Sequence, residues 1–215
     1  PKPMLPVGDR PLLELIVDQL RASGIHRMNI TTHHKKDVIS NHFGDGRDFG
    51  VEIEYVEEDQ PLGTAGALGL LDEPDEPLLV INGDILTRLD FRSMLGFHRE
   101  QNADMTVAVQ HRDFRIPFGL VETDGVLITA VSEKPVIKHY INAGIYLLNP
   151  EARRAVPRGE PSDMPELINR LVSDGRRVVS FPVREYWLDI GQAEDYEQAQ
   201  ADVAAGRLLN PQDSS

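Results

Sequence analysis

The sequence contains no cysteine, which excludes disulfide bonds and thiolate metal sites. A chain without disulfides fits a reducing compartment, so we expect a cytoplasmic protein. No apolar run approaches the length that crosses a bilayer, and Pro1–Pro6 lacks the apolar core of a secretory signal. We therefore expect no membrane partner.

Positive charge is also scarce. The chain has 22 Lys and Arg against 35 Asp and Glu, a formal net charge of −13. A general nucleic-acid surface needs a basic stripe, so we do not expect nucleic acid as a partner. An acidic protein can still hold a small phosphorylated ligand with a few placed cations, backbone N–H groups and a divalent ion.

The order of the hydrophobic patterns predicts an α/β fold. Helices are predicted within 11–22, 36–43 and 60–71, and strands over 28–32, 51–56 and 78–81. This alternation is typical of βαβ units with a mostly parallel sheet. From Met105 onward strand patterns follow one another, and Asp124-Gly125 predicts a hairpin. We predict one domain over residues 1–209, with an antiparallel insertion, and a tail over 210–215.

The most informative stretch is the apolar run Leu78–Ile81, which leads into Asn82-Gly83-Asp84. Four branched apolar residues in a row predict a strand buried on both faces in the centre of a parallel sheet. Asp84 would then lie at the carboxyl edge, where open α/β folds bind ligands. The alternative is that Asp84 caps the next helix. Asp189, in a similar setting, favours a pair of carboxylates that could hold Mg²⁺ on a phosphate substrate.

Six short segments occur in a fixed order along nearly the whole chain. They are PKPMLPV (1–7), PLGTAGAL (61–68), NGD (82–84), EKP (133–135), INAGIY (141–146) and WLDIG (187–191). Together they resemble the sugar-1-phosphate nucleotidyltransferase family. The resemblance implies a Rossmann-like, mostly parallel mixed sheet flanked by helices, with the antiparallel insertion binding the sugar. The family's Gly-rich loop, of the form GGxGTRLxP, and the strand before it precede the Lys-Pro segment and are not in this sequence.

The resemblance also implies an activity. Members of the family join a sugar 1-phosphate to an NTP and release an NDP-sugar and pyrophosphate. The LGTAG, INAG and DIGQ segments are most similar to those of enzymes that make GDP-mannose and related sugars, so GTP is the favoured nucleotide. The alternative is a regulatory or scaffold relative that binds sugar nucleotides without turning them over. We also allow for a homo-oligomer.

Two positions match the family's catalytic residues, Lys2 and Asp84. Lys2 would face the nucleotide phosphates and follow the charge that develops on leaving pyrophosphate. Its alternative is an exposed terminal lysine without a role. Asp84 and Asp189 would be the Mg²⁺ ligands, because Mg²⁺ takes one or two carboxylates and completes its octahedron with phosphate oxygens and waters.

The segment 60–66 resembles the family's nucleobase-reading loop. Its glycines would let the backbone approach a flat base, and the Thr64 hydroxyl could donate a hydrogen bond. The nucleotide-binding residues assigned in this way are Gln60, Gly63, Thr64, Ala65 and Gly83. The alternative is that the Gly and Ala residues only permit tight packing of a helix on the sheet.

The sugar phosphate would bind at the insertion. The Lys134 ammonium could neutralise the attacking phosphate, and Glu133 could accept hydrogen bonds from sugar hydroxyls. The alternative for this pair is an exposed ion pair of little energetic value. Asn142 could bond a hydroxyl, Gly144 would leave room for the ring, and Gly119 matches a glycine that approaches the sugar.

Adjacent histidines, His33 and His34, could suggest a metal site. Neighbouring residues on a strand point to opposite faces, and no third ligand is near them in the sequence. We interpret both as structural or surface residues.

Overall fold

The structure is a computed structural model, and it describes residues 1–32, 36–72 and 76–208. His33, His34 and the predicted tail lie outside the described residues. The helices are α1 Leu12–Ala22, α2 Lys36–Phe43, α3 Gly63–Gly66, α4 Phe91–Glu100, α5 Pro150–Arg153, α6 Met164–Ser173 and α7 Ala193–Ala204. The strands are β1 Pro6–Val7, β2 Arg10–Pro11, β3 Arg27–Thr32, β4 Glu52–Glu57, β5 Leu78–Ile81, β6 Ile85–Thr87, β7 Met105–Arg115, β8 Leu120–Asp124, β9 Leu127–Ser132, β10 Val136–Leu148, β11 Val178–Val183 and β12 Trp187–Asp189.

The main sheet has the strand order β11-β7-β10-β5. Strand β11 runs parallel to β7, whereas β10 is antiparallel to both of its neighbours, β7 and β5. Strands β5, β7 and β11 therefore share one direction and β10 runs against them. Together with the helices, this confirms the predicted α/β class with a mixed sheet.

The strand predicted over Leu78–Ile81 is present, but the predictions of its burial and of its neighbouring strands are wrong. The strand is half-buried rather than buried on both faces, and its described neighbour is the antiparallel β10. A run of branched apolar residues indicates a strand that packs against other residues on both faces, but it does not specify how many strands flank it or in which direction they run, and these decide how deeply it is buried.

Helices cover both faces of the sheet. Side chains alternate along β10, so Ile145 and Leu147 join a core with α1 and α4, whereas Tyr146 and Leu148 join a second core with α6. Helices thus cover both faces of the sheet, and a ligand site is expected at the edge where the strands end.

Strands β3 and β4 form a separate parallel pair beside α1. Between β3 and β5 lies an apolar groove of about 210 Å³, lined on one side by Met28 and Ile30 and on the other by Ile81, with Ile16 and Leu20 of α1 along it. Within the described ranges, no strand pairs with β3 or β5 across this groove.

The antiparallel insertion is present. Strands β7 and β10 continue past the sheet as a two-stranded ladder, in which Arg115 pairs with Val136. Strands β8 and β9 form the hairpin predicted from Asp124-Gly125, with Gly125 at φ 59° as such a turn requires. Its side chains are exposed on both strands. None of the described helices is long and apolar enough to cross a membrane.

A buried carboxylate ties α7 to the segment before β12. Asp202 is 3% exposed and accepts hydrogen bonds from Tyr186 Oη, Gln198 Nε2 and Arg207 Nη1, each at 2.7 Å. Burial works to raise the pKa of Asp202, but these hydrogen bonds and the Arg207 charge outweigh it and hold the pKa below its usual value. The hydrogen bond from Tyr186 to Asp202 thus fixes the position of the segment that leads into β12, the strand that carries Asp189.

Asp202→Ala is expected to lower the free energy of unfolding by about 2–4 kcal/mol at pH 7, because three donors lose a charged acceptor. Asp202→Asn should lose less, since its amide oxygen still accepts. The pKa is lower in the folded state than in the unfolded state, so the carboxylate stabilises the fold at neutral pH. That stabilisation is lost as the pH falls through the folded pKa. Urea unfolding of wild type and both variants at neutral and acid pH measures this, and a wild-type advantage over Asp202→Asn that does not shrink in acid would contradict it.

Candidate active site at the carboxyl edge of the sheet

Strand β5 ends in a tight turn that carries Asp84. The backbone N–H of Asn82 donates to the Gly144 carbonyl at 2.9 Å, and the Ile85 N–H donates to the Asn82 carbonyl at 3.2 Å. The chain then enters strand β6, so Asp84 does not precede a helix. The cap of α4 is Asp90, whose side chain accepts from Arg92 N and Ser93 N. The capping alternative for Asp84 is therefore wrong.

Asp189 lies beside Asp84 because of strand pairing. Strands β12 and β6 are antiparallel, with Asp189 opposite Ile85, and the Ile190 N–H donates to the Asp84 carbonyl at 3.0 Å. The backbone thus brings two acids from distant parts of the sequence to one edge of the fold.

The two carboxylates form an electrostatically unfavourable pair. Burial raises the pKa of Asp189, the negative charge of Asp84 raises it further and that of Asp195 adds to this, while Lys2 lowers it. The group is thus harder to ionise than a free aspartate, and a cation beside it would relieve the repulsion.

Lys2 forms an ion pair with one member of this pair, Asp84. Its ammonium Nζ lies 3.1 Å from Asp84 Oδ2, with the two side chains 41% and 30% exposed. Lys2 belongs to a 3₁₀ turn, Lys2–Met4, and Pro3 lies against Gly83, where an added Cβ would be 3.1 Å from Pro3 Cγ. Lys2 is thus an ion-paired residue beside Asp84 and not a terminal lysine without contacts.

The donor set decides which cation could bind. In the part of the chain that the structure describes, no three or more His, Cys, Asp or Glu residues come together as a metal cage. Asp84 and Asp189 supply only hard carboxylate oxygens, which suit Mg²⁺ when substrate phosphates complete the coordination. The residues present therefore fit a metal that enters with a phosphorylated ligand.

The loop that matches the nucleobase motif is bound to the segment before α6. The Thr64 N–H and hydroxyl donate to Asp163 Oδ1 at 2.9 and 3.2 Å, and the Met164 N–H donates to Thr64 Oγ1 at 2.8 Å. The N–H groups of Ala65 and Gly66 both donate to the Ser162 carbonyl. The Thr64 hydroxyl is therefore occupied by protein contacts, and its predicted hydrogen bond to a base would compete with them.

The glycines of this loop have a packing role. A Cβ at Gly63, where φ is 76°, would lie 2.6 Å from Asp163 Oδ1, and one at Gly66 would lie 2.8 Å from the Glu160 carbonyl oxygen. Tight packing is thus present, but against the 160–163 segment rather than against the sheet. The outer side of the loop is exposed at Gln60, Gly63 and Thr64, whereas Ala65 is buried. Nucleotide binding by these residues stays a prediction.

The insertion brings Gly119 and Glu133 together, since a Cβ at Gly119 would lie 3.2 Å from Glu133 Oε2. Lys134 follows at φ 44°, a left-handed conformation that is unfavourable for a non-glycine residue. Within the described ranges Lys134 has no ion-pair partner, so the exposed ion pair with Glu133 is not formed.

Asn142 and Gly144 shape a bend in β10. The Gly144 N–H donates to Asn142 Oδ1 at 3.0 Å, and Gly144 has φ 70°. A Cβ at Gly144 would lie 2.8 Å from Asn82 Nδ2 and 3.2 Å from Ile85 Cγ1. Protein atoms thus occupy the position that a side chain at 144 would take, and sugar binding beside Gly144 stays a prediction.

Several residues near the site were not predicted from the sequence. Trp187, which begins β12, donates through Nε1 to the Ala143 carbonyl at 2.8 Å, and the Arg112 guanidinium lies 5.7 Å from its ring centroid. Asp163 has a local signal, an Asp three residues before Glu166, which is typical of a helix start. That signal does not indicate its contact with Thr64.

The fold is thus an α/β fold with a lysine and two carboxylates at the carboxyl edge of its strands, the place where open α/β folds bind ligands. The nucleotidyl transferase family model matches residues 1–206. The chain belongs to that family.

Two curated relatives are similar to this chain over almost its whole length. The chain is 33% identical to a mannose-1-phosphate guanylyltransferase of Mycobacterium tuberculosis, over 98% of this chain and 61% of the relative. It is 32% identical to a UTP–glucose-1-phosphate uridylyltransferase of Synechocystis, over 99% of this chain and 60% of that protein. The chain thus spans about three fifths of the length of these relatives.

Solved structures agree with the fold. A putative glucose-1-phosphate thymidylyltransferase from Bacillus anthracis, determined with sucrose, superposes with a TM-score of 0.75 at 25% identity, covering 97% of this chain and 87% of that one. HddC from Yersinia pseudotuberculosis superposes with a TM-score of 0.73 at 24% identity, covering 94% and 90%. These matches extend over most of both chains, so the fold is that of nucleotidyltransferases.

Proposed function

We propose that the protein transfers a nucleotidyl group from an NTP to a sugar 1-phosphate and releases pyrophosphate. The observation that carries this proposal is the contact of Lys2 with Asp84 beside Asp189, in a chain of the nucleotidyl transferase family. The paired acids and the lysine favour an active enzyme over a non-catalytic scaffold relative, because a scaffold would not need them.

In the proposed reaction, a phosphate oxygen of the sugar 1-phosphate attacks the α-phosphorus of the NTP. The new bond joins that oxygen to phosphorus as the bond to pyrophosphate breaks on the opposite side. No protein nucleophile is needed, so the residues act by positioning and by charge. Mg²⁺ held by Asp84 and Asp189 would supply neutralisation of phosphate charge.

Lys2 and Lys134 would supply the remaining positive charge. Lys2 lies beside Asp84 and would follow charge onto the leaving pyrophosphate. Lys134 has no ion-pair partner within the described ranges, so its ammonium is available to the phosphate of the sugar substrate. Glu133 and Gly119, which lie together, would bind the sugar hydroxyls from the insertion. Asn142 of β10 would bind a further hydroxyl.

We propose GTP as the nucleotide and mannose 1-phosphate as the sugar substrate. Two observations support this choice. One relative is named mannose-1-phosphate guanylyltransferase, and the sequences of the LGTAG, INAG and DIGQ segments are most similar to those of enzymes that make GDP-mannose. The uridylyltransferase relative has nearly the same identity, so UTP with glucose 1-phosphate is the competing pair.

Pyrophosphate release by the full-length protein tests this proposal. Each of the four common NTPs is paired with mannose 1-phosphate and glucose 1-phosphate, with Mg²⁺ and with EDTA. The GTP and mannose 1-phosphate pair is expected to give the highest rate, and EDTA is expected to abolish it. Faster release with UTP and glucose 1-phosphate would correct the substrates, and no release with any pair would contradict the enzyme.

A further inference from the structure

We propose that Asp163 is a positioning residue that holds the nucleobase loop, residues 60–66, and thereby sets discrimination among NTPs. The inference rests on the proposed function, because it takes this loop as the part of the site that reads the base. Asp163 lies outside every segment that carries the family resemblance.

The contact geometry assigns Asp163 to the loop. A single carboxylate oxygen, Oδ1, accepts both the N–H and the hydroxyl of Thr64. The next residue, Met164, donates its N–H back to the same hydroxyl. Thr64 is therefore fixed through three hydrogen bonds, all of which come from the two residues at the start of α6.

The neighbouring contacts show that the whole loop is seated on this segment. The Ser162 carbonyl accepts the N–H groups of Ala65 and Gly66 at 2.9 and 3.0 Å, and the Ser162 N–H donates to the Leu62 carbonyl at 2.8 Å. These bonds join main-chain atoms and would survive a change of side chain at 163. A substitution at 163 thus removes only the bonds that the Asp163 carboxylate accepts, and these bonds hold the exposed residue Thr64.

Exposure explains why this support bears on ligand selection. Ala65 and Gly66 are buried, whereas Gly63 and Thr64 are exposed and form the outer surface of the loop. A binding surface discriminates between ligands only if its polar groups are held in place, since a loop that can rearrange will accommodate several bases. Loss of the carboxylate should therefore free the surface of the loop without removing its buried half.

Asp163 also begins α6, and this second role needs a control. The Asp163 N–H donates to Glu166 Oε2 at 3.5 Å, as in a capping box. Glu166→Ala removes that bond and weakens the start of the helix, but it leaves every contact of Thr64 in place. It is the control for a weakened start of α6 with the contacts of Thr64 kept.

The experiment compares wild type, Asp163→Ala, Asp163→Asn and Glu166→Ala as full-length proteins. Asp163→Ala should raise KM for the favoured NTP about tenfold, as expected for loss of hydrogen bonds to a charged group. The kcat/KM preference for that NTP over the next should fall, with KM for the sugar 1-phosphate unchanged. Asp163→Asn should recover most of both values, because its amide oxygen still accepts from Thr64. Glu166→Ala should lower Tm and leave KM and the preference as in wild type.

Hydrogen exchange of the Thr64 amide, measured without nucleotide, separates this inference from the proposed function. Exchange should be faster in Asp163→Ala than in wild type or Glu166→Ala. Unchanged exchange would overturn the positioning role, whatever the substrate. Unchanged NTP preference in Asp163→Ala, or an equal change in Glu166→Ala, would overturn its link to selectivity. A wild-type protein that turns over no NTP overturns the proposed function and with it that link, while the exchange result still decides whether Asp163 holds the loop.

Discussion

Asp84→Asn in the full-length protein is expected to lower kcat by about 10³-fold, as for loss of several kcal/mol of charge stabilisation. The amide keeps the shape of the carboxylate but has no negative charge to hold a cation on the nucleotide phosphates. It also removes the ion pair with Lys2 and the charge that raises the pKa of Asp189. The fold should therefore be kept while the chemistry is lost.

The measurement is pyrophosphate release with saturating substrates over a range of Mg²⁺ concentrations. Thermal unfolding with and without Mg²⁺ and GTP gives a second readout, because a ligand that binds the folded state raises Tm. Wild type should be stabilised by Mg²⁺ with GTP more than Asp84→Asn is. Asp90→Asn is the matched control, since Asp90 also follows a strand but caps α4, and Asn caps helices about as well as Asp. Near-normal turnover in Asp84→Asn would refute the proposed metal role.

Lys134→Ala is expected to lower kcat/KM for the sugar 1-phosphate by about 10²-fold, comparable to the loss of one positioned charge donor. The reason is that Lys134 has no ion-pair partner among the described residues and follows Glu133, which lies against Gly119, so its charge is available to the attacking phosphate. Lys134→Arg should recover part of the loss, because it keeps a positive charge.

Lys134→Gly separates charge from backbone strain. Lys134 has φ 44°, and a non-glycine residue in this region costs about 1–2 kcal/mol. The Gly variant should lose as much activity as the Ala variant. Its free energy of unfolding should be about 1 kcal/mol higher than that of the Ala variant, because glycine adopts this conformation without strain. Part of the gain is offset by the larger entropy of glycine in the unfolded state. Urea unfolding and initial rates on the same preparations measure both effects. Wild-type kinetics in Lys134→Gly would show that the ammonium does not contact the substrate.

Local sequence patterns were sufficient for most elements of the fold. The helix over 36–43, the strand over 78–81 and the hairpin at Asp124-Gly125 follow from side-chain periodicity and turn chemistry, and all three are present. Each depends on residues close together in the chain. The family could also be identified from the order of short segments, because glycines and charged residues at a site recur at set places along the chain.

Contacts between distant residues were decided by the tertiary structure. The sequence placed Asp84 and Asp189 each after a strand, but only the pairing of β6 with β12 sets them side by side. Nothing local in 60–66 indicates that Thr64 is held by Asp163, because that contact depends on how the loop packs against the start of α6. Sequence periodicity determines which face of an element is apolar, whereas register and packing determine which polar groups meet. The acids were therefore visible as candidates in the sequence, and their neighbours became known only from the fold.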